Sequence, residues 1–363
     1  FTGIVRDKLG RKMSKSLGNS PDPLELIEKY GADGVRMGMM LSAPAGNDIL
    51  FDDALCEQGR NFCNKIWNAF RLIKGWTNAK GTIEIPTDAH LAVQWFDQRL
   101  DAAAVEVADL FSKYRLSEAL MLVYKLFWDE FSSWLLEIVK PAYGQPVNGF
   151  IYSMVLSSFE RLLELLHPFM PFITEEIFCS LQDEEESIMV SDWPVFEEAF
   201  DFKAEENEVE VIKNAVRNIR NLRADMNVPP SKKASVYVVS EKEEVRKVFE
   251  DSRVFFATLG YASEVHVQAD KAGIADDAVS TVIPDAVIYM PFAELVDVEK
   301  EIARLEKEAK RLEGEIKRAK GMLSNEKFIS KAPAAKVEAE KEKLEKYTSM
   351  AAQVAERLSQ LKK

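Results

Sequence analysis

The residues best suited to chemistry lie together near the start of the sequence, in the segment Lys12-Met13-Ser14-Lys15-Ser16, which Leu-Gly-Asn follows. Two lysines flank small hydroxyl side chains in a loop bounded by glycines, so mobile ammonium and hydroxyl donors can reach a polyphosphate together. Such contacts act most strongly where negative charge builds up in a transition state. On spacing alone, the alternative is an exposed basic loop that binds no ligand.

A short strand and several helices are predicted around this loop. Asp22 followed by Pro23 is typical of a helix start, and Gly31 is placed to end that helix. A second short helix is expected over 33–41, and another begins near Asp53. The loop is therefore expected to follow a short strand and to precede helical structure.

Residues 53–181 predict a helix bundle, because long amphipathic stretches recur with few glycines or prolines. One apolar face consists of Leu116, Leu120, Val123, Phe127, Phe131, Leu135 and Ile138. A proline-containing turn begins at His167, which we expect to be partly buried and hydrogen-bonded. Thr174 is spaced to cap the helix that follows this turn.

The C-terminal third changes pattern twice. A helix is predicted over 206–226 and a small α/β module over 232–296, with three strands and a helix between the first two. From Val298 onward, apolar residues follow the 4-3 spacing of a coiled coil, and the pattern resumes after Pro333. The predicted fold class is therefore mainly α: a helix bundle, the α/β module and a C-terminal antiparallel coiled-coil hairpin.

Composition indicates a soluble chain of more than one domain, with 363 residues, 47% hydrophobic and 29% charged. No apolar run approaches the roughly 20 residues that cross a bilayer, which argues against a transmembrane anchor. The three cysteines show no CxxC pairing, which argues against a disulfide framework or a four-cysteine zinc site. A reducing, cytoplasmic setting is expected.

Charge is unevenly distributed along the sequence. The net charge of -13 argues against nonspecific nucleic-acid binding by the whole chain. Residues 297–363, however, contain 17 basic and 13 acidic residues, which leaves -17 for the rest. The hairpin is thus the locally basic element. The alternative is that its mixed charges only solvate the helix flanks.

The loop and its surroundings resemble a known family. GRKMSKSLGN followed by DPLELIEKYGADGVR (22–36) resembles the second signature of the class I aminoacyl-tRNA synthetases that charge aliphatic amino acids. The resemblance implies that the loop closes over ATP and stabilises the pyrophosphate leaving group. Lys12 and Lys15 become the catalytic candidates, with Lys15 the main phosphate contact, while Ser14, Ser16 and Met13 complete the ATP-binding loop. ATP is an expected substrate, with Mg²⁺ in the full enzyme, and no metal site is expected in these residues.

The second half narrows this resemblance to the valine-specific members, through IRNLRADMNVPPSKK (219–233) and LSNEKFISKAP (323–333). An isoleucine-specific member would be expected to end in a cysteine-rich zinc module, and leucine- or methionine-specific members would lack the hairpin. The resemblance implies valine, ATP and tRNA as substrates of the full enzyme. A monomer in the cytoplasm, without membrane association, is expected.

The family's first signature, His-x-Gly-His, is not found, since the three histidines lie in HLAV, HPFM and HVQA. The amino-acid pocket, most of the nucleotide-binding fold and the editing domain are therefore expected upstream of Phe1. The chain is read as a C-terminal fragment that is inactive alone.

In this family the bundle receives the anticodon stem and the hairpin contacts the outer corner of the tRNA. The implied nucleic-acid contacts are Arg36, Arg217, Arg220, Arg223, Asn227, Lys310, Arg311, Lys317 and Arg318. For Arg36, a structural role such as pairing with Asp33 is the alternative. Tryptophans on the long helices could stack on bases, although a place in the core is more typical of them.

The expected domains are 1–52, the end of the catalytic domain with its connecting helices; 53–200, the helical anticodon-binding domain; 201–231, a linker helix; 232–296, the α/β module; and 297–363, the tRNA-binding arm. Two alternatives remain open. One is another aliphatic class I aminoacyl-tRNA synthetase, and the other is a noncatalytic tRNA-binding or scaffold protein derived from one.

Overall fold

The computed structural model of the chain describes residues 3–43, 46–76, 86–142, 144–181, 187–194, 203–295, 298–325 and 334–361. Helices dominate these residues, which confirms the predicted mainly-α fold class. Packing divides the chain into two units, Phe1–Arg217 with Lys242–Gly260 and Asn218–Glu241 with Tyr261–Lys363. The five predicted domain limits stay predictions. Within the described residues, no helix combines the length and apolarity needed to cross a membrane.

The first unit is built mostly of helices, with two short strands near its start. Its elements in chain order are β1 (Val5–Asp7), α1 (Pro23–Tyr30), α2 (Ala32–Leu41), β2 (Ile49–Phe51), α3 (Asp53–Lys74), α4 (Thr87–Ser112), α5 (Leu116–Lys125), α6 (Leu136–Val139), α7 (Gly149–Leu166), α8 (Pro171–Leu181), the first part of α9 (Lys203–Asp225), α10 (Glu243–Asp251) and α11 (Arg253–Leu259).

The elements around the loop form as their local sequence predicts. The two strands pair in parallel, with Val5 opposite Ile49. The Asp22 carboxylate accepts a hydrogen bond from the Leu24 amide at 2.8 Å, so it caps α1. Gly31 follows the helix with a φ of +78°, a left-handed conformation that glycine adopts at little cost.

Glycines bring α2 and α3 into backbone contact. A Cβ atom on Gly38 would lie 2.7 Å from the backbone nitrogen of Cys56. A Cβ atom on Gly59 would lie 2.5 Å from the carbonyl oxygen of Gly34. Because no larger residue fits at these positions, the segment that carries the loop is packed tightly against the first long helix of the bundle.

Aromatic side chains fill the core of the bundle. Phe131 stacks on Phe159, with ring centroids 5.7 Å apart, and Phe127 packs beside both. The predicted apolar face is largely buried, but its continuous α-helix is wrong in detail. Residues Leu126–Leu135 adopt a π-helix between α5 and α6, where the Ser133 hydroxyl donates to the carbonyl of Trp128 at 2.7 Å.

A charged pair on α2 holds the turn between α7 and α8. The buried Asp33 carboxylate accepts hydrogen bonds from the amides of Ile173 at 2.7 Å and Phe172 at 3.4 Å, and thereby caps α8. Arg36 donates from Nε to the carbonyl of Phe169 at 3.0 Å and from Nη2 to that of Pro168 at 3.2 Å. Opposite charges thus match the amide-rich start of α8 and the carbonyls at the end of α7.

The predicted N-cap at Thr174 is therefore wrong. Thr174 lies one turn inside α8, and its hydroxyl donates to the carbonyl of Met170 at 2.8 Å. The same hydroxyl lies 2.7 Å from Nδ1 of His167, which confirms that this histidine is partly buried and hydrogen-bonded. Burial lowers the pKa of His167 and raises the pKa of Asp33.

We expect Arg36→Ala to lower the free energy of unfolding of the first unit by about 1.5–3 kcal/mol, the usual contribution of hydrogen bonds from a charged group. The matched control is Arg115→Ala, which removes an exposed ion pair with Glu118 three residues away and should change stability by about 0.5 kcal/mol or less. Denaturant titration followed by circular dichroism measures both variants. Equal effects of the two would contradict a structural role for Arg36.

The second unit combines a four-stranded sheet with a long helical hairpin. Its elements are the end of α9, β3 (Ala234–Val239), β4 (Ala262–Gln268), β5 (Val279–Ile283), β6 (Ala286–Met290), α12 (Phe292–Leu295), α13 (Val298–Leu323) and α14 (Ala334–Leu361). The strand order is β4-β3-β6-β5. Three strands match the prediction, whereas β5, antiparallel to β6 at the sheet edge, was not predicted.

The two long helices pack against each other along the predicted seam. Leu305, Leu312 and Ala319, seven residues apart, are all buried. Arg311 interacts with Tyr347 and Arg318 with Lys343. Positions rise along α13 as they fall along α14, so the helices are antiparallel. The predicted bend at 326–333 lies outside the described residues.

Candidate functional site

The Lys12–Ser16 loop has a defined backbone. Residues Lys15–Leu17 form a 3₁₀ turn, and the Ser14 hydroxyl accepts from the Leu17 amide at 3.3 Å. Gly18 ends the turn with a φ of +62° and donates from its amide to the carbonyl of Lys15 at 3.2 Å. The loop thus holds a fixed course that depends on glycine at its end.

The side chains of the loop point in different directions. Met13 is half-buried and packs on a cluster formed by Tyr30, Phe51 and Cys56. The hydroxyls of Ser14 and Ser16 lie 2.6 Å apart. Lys12 and Lys15 are exposed. The apolar anchor at Met13 and the turn therefore present two ammonium groups to solvent, which is the arrangement needed to meet a polyphosphate.

Two polar residues next to the loop were missed by the sequence analysis. The buried carboxylate of Asp7 accepts hydrogen bonds from the Asn19 side chain at 3.0 Å and from the Arg11 amide at 2.8 Å. The hydrogen bond from Asn19, together with those from Arg11, lowers the pKa of Asp7 to about 2. A local signal existed, because Asp7 precedes the glycine turn at Gly10 and Asn19 directly follows Gly18.

Arg223, predicted to contact nucleic acid, is corrected to a structural residue. Its side chain is only 3% exposed, its Nη2 donates to the carbonyls of Pro229 and Lys232, and its guanidinium carbon lies 5.3 Å from the ring centroid of Tyr261. It holds the loop after α9. Asn227 remains exposed and ends that helix with a φ of +55°.

The other two arginines of α9 are more accessible. Arg217 is exposed, with its guanidinium carbon 5.6 Å from the ring centroid of Trp134. Arg220 is half-buried and lies 5.8 Å from the ring centroid of Tyr261. Both remain predicted RNA contacts. Arg36 also keeps this prediction, although two of its donors are engaged by the turn between α7 and α8.

A buried lysine accounts for two of the tryptophans. Lys213 is 2% exposed, and its ammonium nitrogen lies 4.6 Å from the ring centroid of Trp95 and 5.8 Å from that of Trp134. Both rings are buried, so they belong to the core and are not available for stacking on bases. The cation–π contacts and an ion pair with Glu210 compensate the buried charge. Nothing in the local sequence distinguishes Lys213 from a surface lysine.

The hairpin exposes the predicted basic residues. Lys310, Lys317 and Arg318 are exposed on α13, and Arg311 is paired with Glu308 at 2.6 Å. On α14, Lys341 and Lys343 are paired with glutamates three residues earlier. Among the described residues, no group of three or more His, Cys, Asp or Glu side chains is arranged to hold a metal ion.

Three stretches match known protein families. Residues 1–52 match tRNA synthetases class I (I, L, M and V). Residues 93–238 match the anticodon-binding domain of tRNA ligase. Residues 297–362 match the valyl tRNA synthetase tRNA binding arm.

Curated relatives agree with these matches along the whole chain. The valine--tRNA ligase of Bacteroides fragilis is 59% identical over 362 residues, covering 100% of this chain and 40% of that protein. That of Bacteroides thetaiotaomicron is 52% identical over 367 residues, with the same coverage, and that of Clostridium tetani is 44% identical over 365 residues, covering 99% and 41%.

A solved LeuRS–tRNA–LeuAMS complex from Agrobacterium radiobacter is a distant match, with a TM-score of 0.41 and 16% identity over 78% of this chain and 31% of that chain. The chain spans about two fifths of the length of the curated relatives it matches. From the three family matches and these identities, the chain belongs to the valyl-tRNA synthetase family of class I aminoacyl-tRNA synthetases.

Proposed function

We propose that this chain supplies the ATP-phosphate loop and the tRNA-binding part of a valine--tRNA ligase. The full-length protein activates valine with ATP and transfers the valyl group to tRNA. One observation carries the proposal: a loop with two exposed lysines lies in the same chain as a hairpin that matches a tRNA binding arm.

In the activation step, the valine carboxylate displaces pyrophosphate from the α-phosphorus of ATP. The leaving group gains negative charge as the bond breaks, so ammonium donors from Lys12 and Lys15 stabilise the transition state more than the ground state. The hydroxyls of Ser14 and Ser16 shape the loop beneath these lysines. Mg²⁺ accompanies ATP as part of that substrate.

In the transfer step, the second half of the chain holds the tRNA. The bundle, with Arg217, Arg220 and Asn227 at its C-terminal side in sequence, receives the anticodon stem, and the hairpin contacts the outer corner of the tRNA. Lysine and arginine side chains on α13 neutralise phosphates there. The domain limits at 52, 200, 231 and 296 belong to the same proposal.

The protein works as a monomer in the cytoplasm. The cytoplasmic setting is supported by its three cysteines, since Cys56, Cys63 and Cys179 are all free thiols. Burial raises the pKa of Cys56 to about 11 and that of Cys63 to about 12, so neither is poised to react.

A chimera tests this function. The chain replaces the matching part of the Bacteroides fragilis relative, to which it is 59% identical, and the product is assayed for ATP–pyrophosphate exchange and for charging of valine tRNA. We expect valine-dependent activity in the chimera and none in the chain alone. A chimera that folds but neither exchanges pyrophosphate nor charges tRNA would contradict the proposal.

A further inference from the structure

Asp7 sits at the centre of the backbone turn that precedes the loop. Its Oδ1 accepts hydrogen bonds from the amides of Leu9 at 3.1 Å and Arg11 at 2.8 Å. Its Oδ2 accepts from Arg11 Nε at 2.7 Å and from Asn19 Nδ2 at 3.0 Å. Four donors around a carboxylate that is only 8% exposed make Asp7 a fixed, charged anchor.

Asn19 connects this anchor to both ends of the loop. Its Oδ1 accepts from the Ser14 amide at 2.9 Å, and its Nδ2 donates to the carbonyl of Lys12 at 3.3 Å as well as to Asp7. One side chain therefore holds the backbone at two positions, on either side of Met13. Only an amide side chain offers an acceptor and two donors in this geometry.

We propose that Asn19 and Asp7 are positioning residues for ATP activation: Asp7 fixes the Asn19 amide, which fixes the Lys12–Ser14 backbone and so aims the ammonium groups of Lys12 and Lys15 at the ATP phosphates. The inference rests on the proposed function of the loop. Neither residue touches ATP. Both act through the loop, whose lysines have long flexible side chains that need a fixed backbone to act together.

The discriminating variant is Asn19→Asp, which keeps the shape of the side chain. It removes both donors of Nδ2 and places a second carboxylate against Asp7, so the contacts to Lys12 and Asp7 are lost while the volume is unchanged. Asn61→Asp is the matched control, because Asn61 is exposed on α3 and away from the loop in sequence.

In the chimera, we expect Asn19→Asp to slow ATP–pyrophosphate exchange on the order of 10²-fold, the effect of misplaced catalytic groups. The KM for valine and the affinity for tRNA should stay within about twofold, and the control should match the parent. A positioning role also predicts coupling: adding Asn19→Asp to Lys15→Ala should cost much less than it does alone.

Each outcome decides the inference. Normal exchange in Asn19→Asp, or losses that multiply fully in the double variant, would overturn it. A parent chimera without valine-dependent exchange would instead refute the proposed function. Hydrogen exchange of the Ser14 amide, measured in the chain itself, then decides whether Asn19 holds the loop: we expect protection in the parent and its loss in Asn19→Asp, and equal exchange rates would overturn the inference.

Discussion

Replacing Lys15 with alanine in the chimera should slow ATP–pyrophosphate exchange by roughly 10²- to 10³-fold, the effect of removing one preorganised donor from a developing anion. Lys15 is exposed at the first position of the 3₁₀ turn, where Ser14 and Gly18 fix the backbone on either side. The truncation removes the donor and leaves this backbone unchanged. The loss should therefore fall on the rate more than on folding.

The same variant should bind tRNA as tightly as the parent, because the phosphate contacts of the tRNA are assigned to the hairpin and the bundle. Lys125→Ala serves as the control, since Lys125 is an exposed lysine on α5 outside the loop, and it should leave exchange unchanged. An exchange rate in Lys15→Ala within about threefold of the parent would refute the assigned role of the loop.

Replacing Lys310, Arg311, Lys317 and Arg318 together with glutamine should weaken tRNA binding by roughly 10²-fold at 0.1 M salt. Lys310 and Lys317 are seven residues apart and share one face of α13, as do Arg311 and Arg318. We expect one such pair to meet phosphates. Counterion release gives about 0.7–0.9 in the salt slope for each phosphate contact, so the slope should fall by about two.

Lys341 and Lys343 provide the matched control on the other helix of the hairpin. Each is paired with a glutamate three residues earlier, and glutamine at both positions should change tRNA affinity by no more than about twofold. Circular dichroism establishes that the hairpin stays helical in both variants. Unchanged affinity and salt slope in the fourfold variant would contradict the assignment of the hairpin as a phosphate-binding surface.

Local signals in the sequence predicted much of this fold. Asp22, Pro23 and Gly31 set the limits of α1, because caps and turn residues act on the few residues next to them. The spacing of Leu305, Leu312 and Ala319 predicted a buried seam, and all three are buried. Both features depend on neighbours that are close in sequence.

The features that the sequence did not reveal depend on distant partners. Asp33 caps α8 across 140 residues, from its own helix to the amide of Ile173, so the nearer Thr174 was the natural but wrong choice. Strand β5 was missed because its edge position leaves Val282 74% exposed, without the apolar alternation of a half-buried strand.

The candidate site was partly visible from the sequence for the same reason. The Lys12–Ser16 segment is contiguous, so its chemistry could be read directly from the residues. The anchor beneath it joins Asp7 to Asn19, and only the folded loop brings them together. Arg223 shows the opposite error, since an arginine that looks exposed in an amphipathic pattern is 3% exposed once the loop after α9 folds over it.

The central claim is that this chain is the tRNA-holding part of a valine-specific enzyme. Titration of the chain with valine tRNA and with an unrelated tRNA of equal length, at several salt concentrations, tests it most directly. We predict salt-dependent binding that is tighter for valine tRNA at every salt concentration. Equal affinity for the two tRNAs, or no binding to either at low salt, would contradict it.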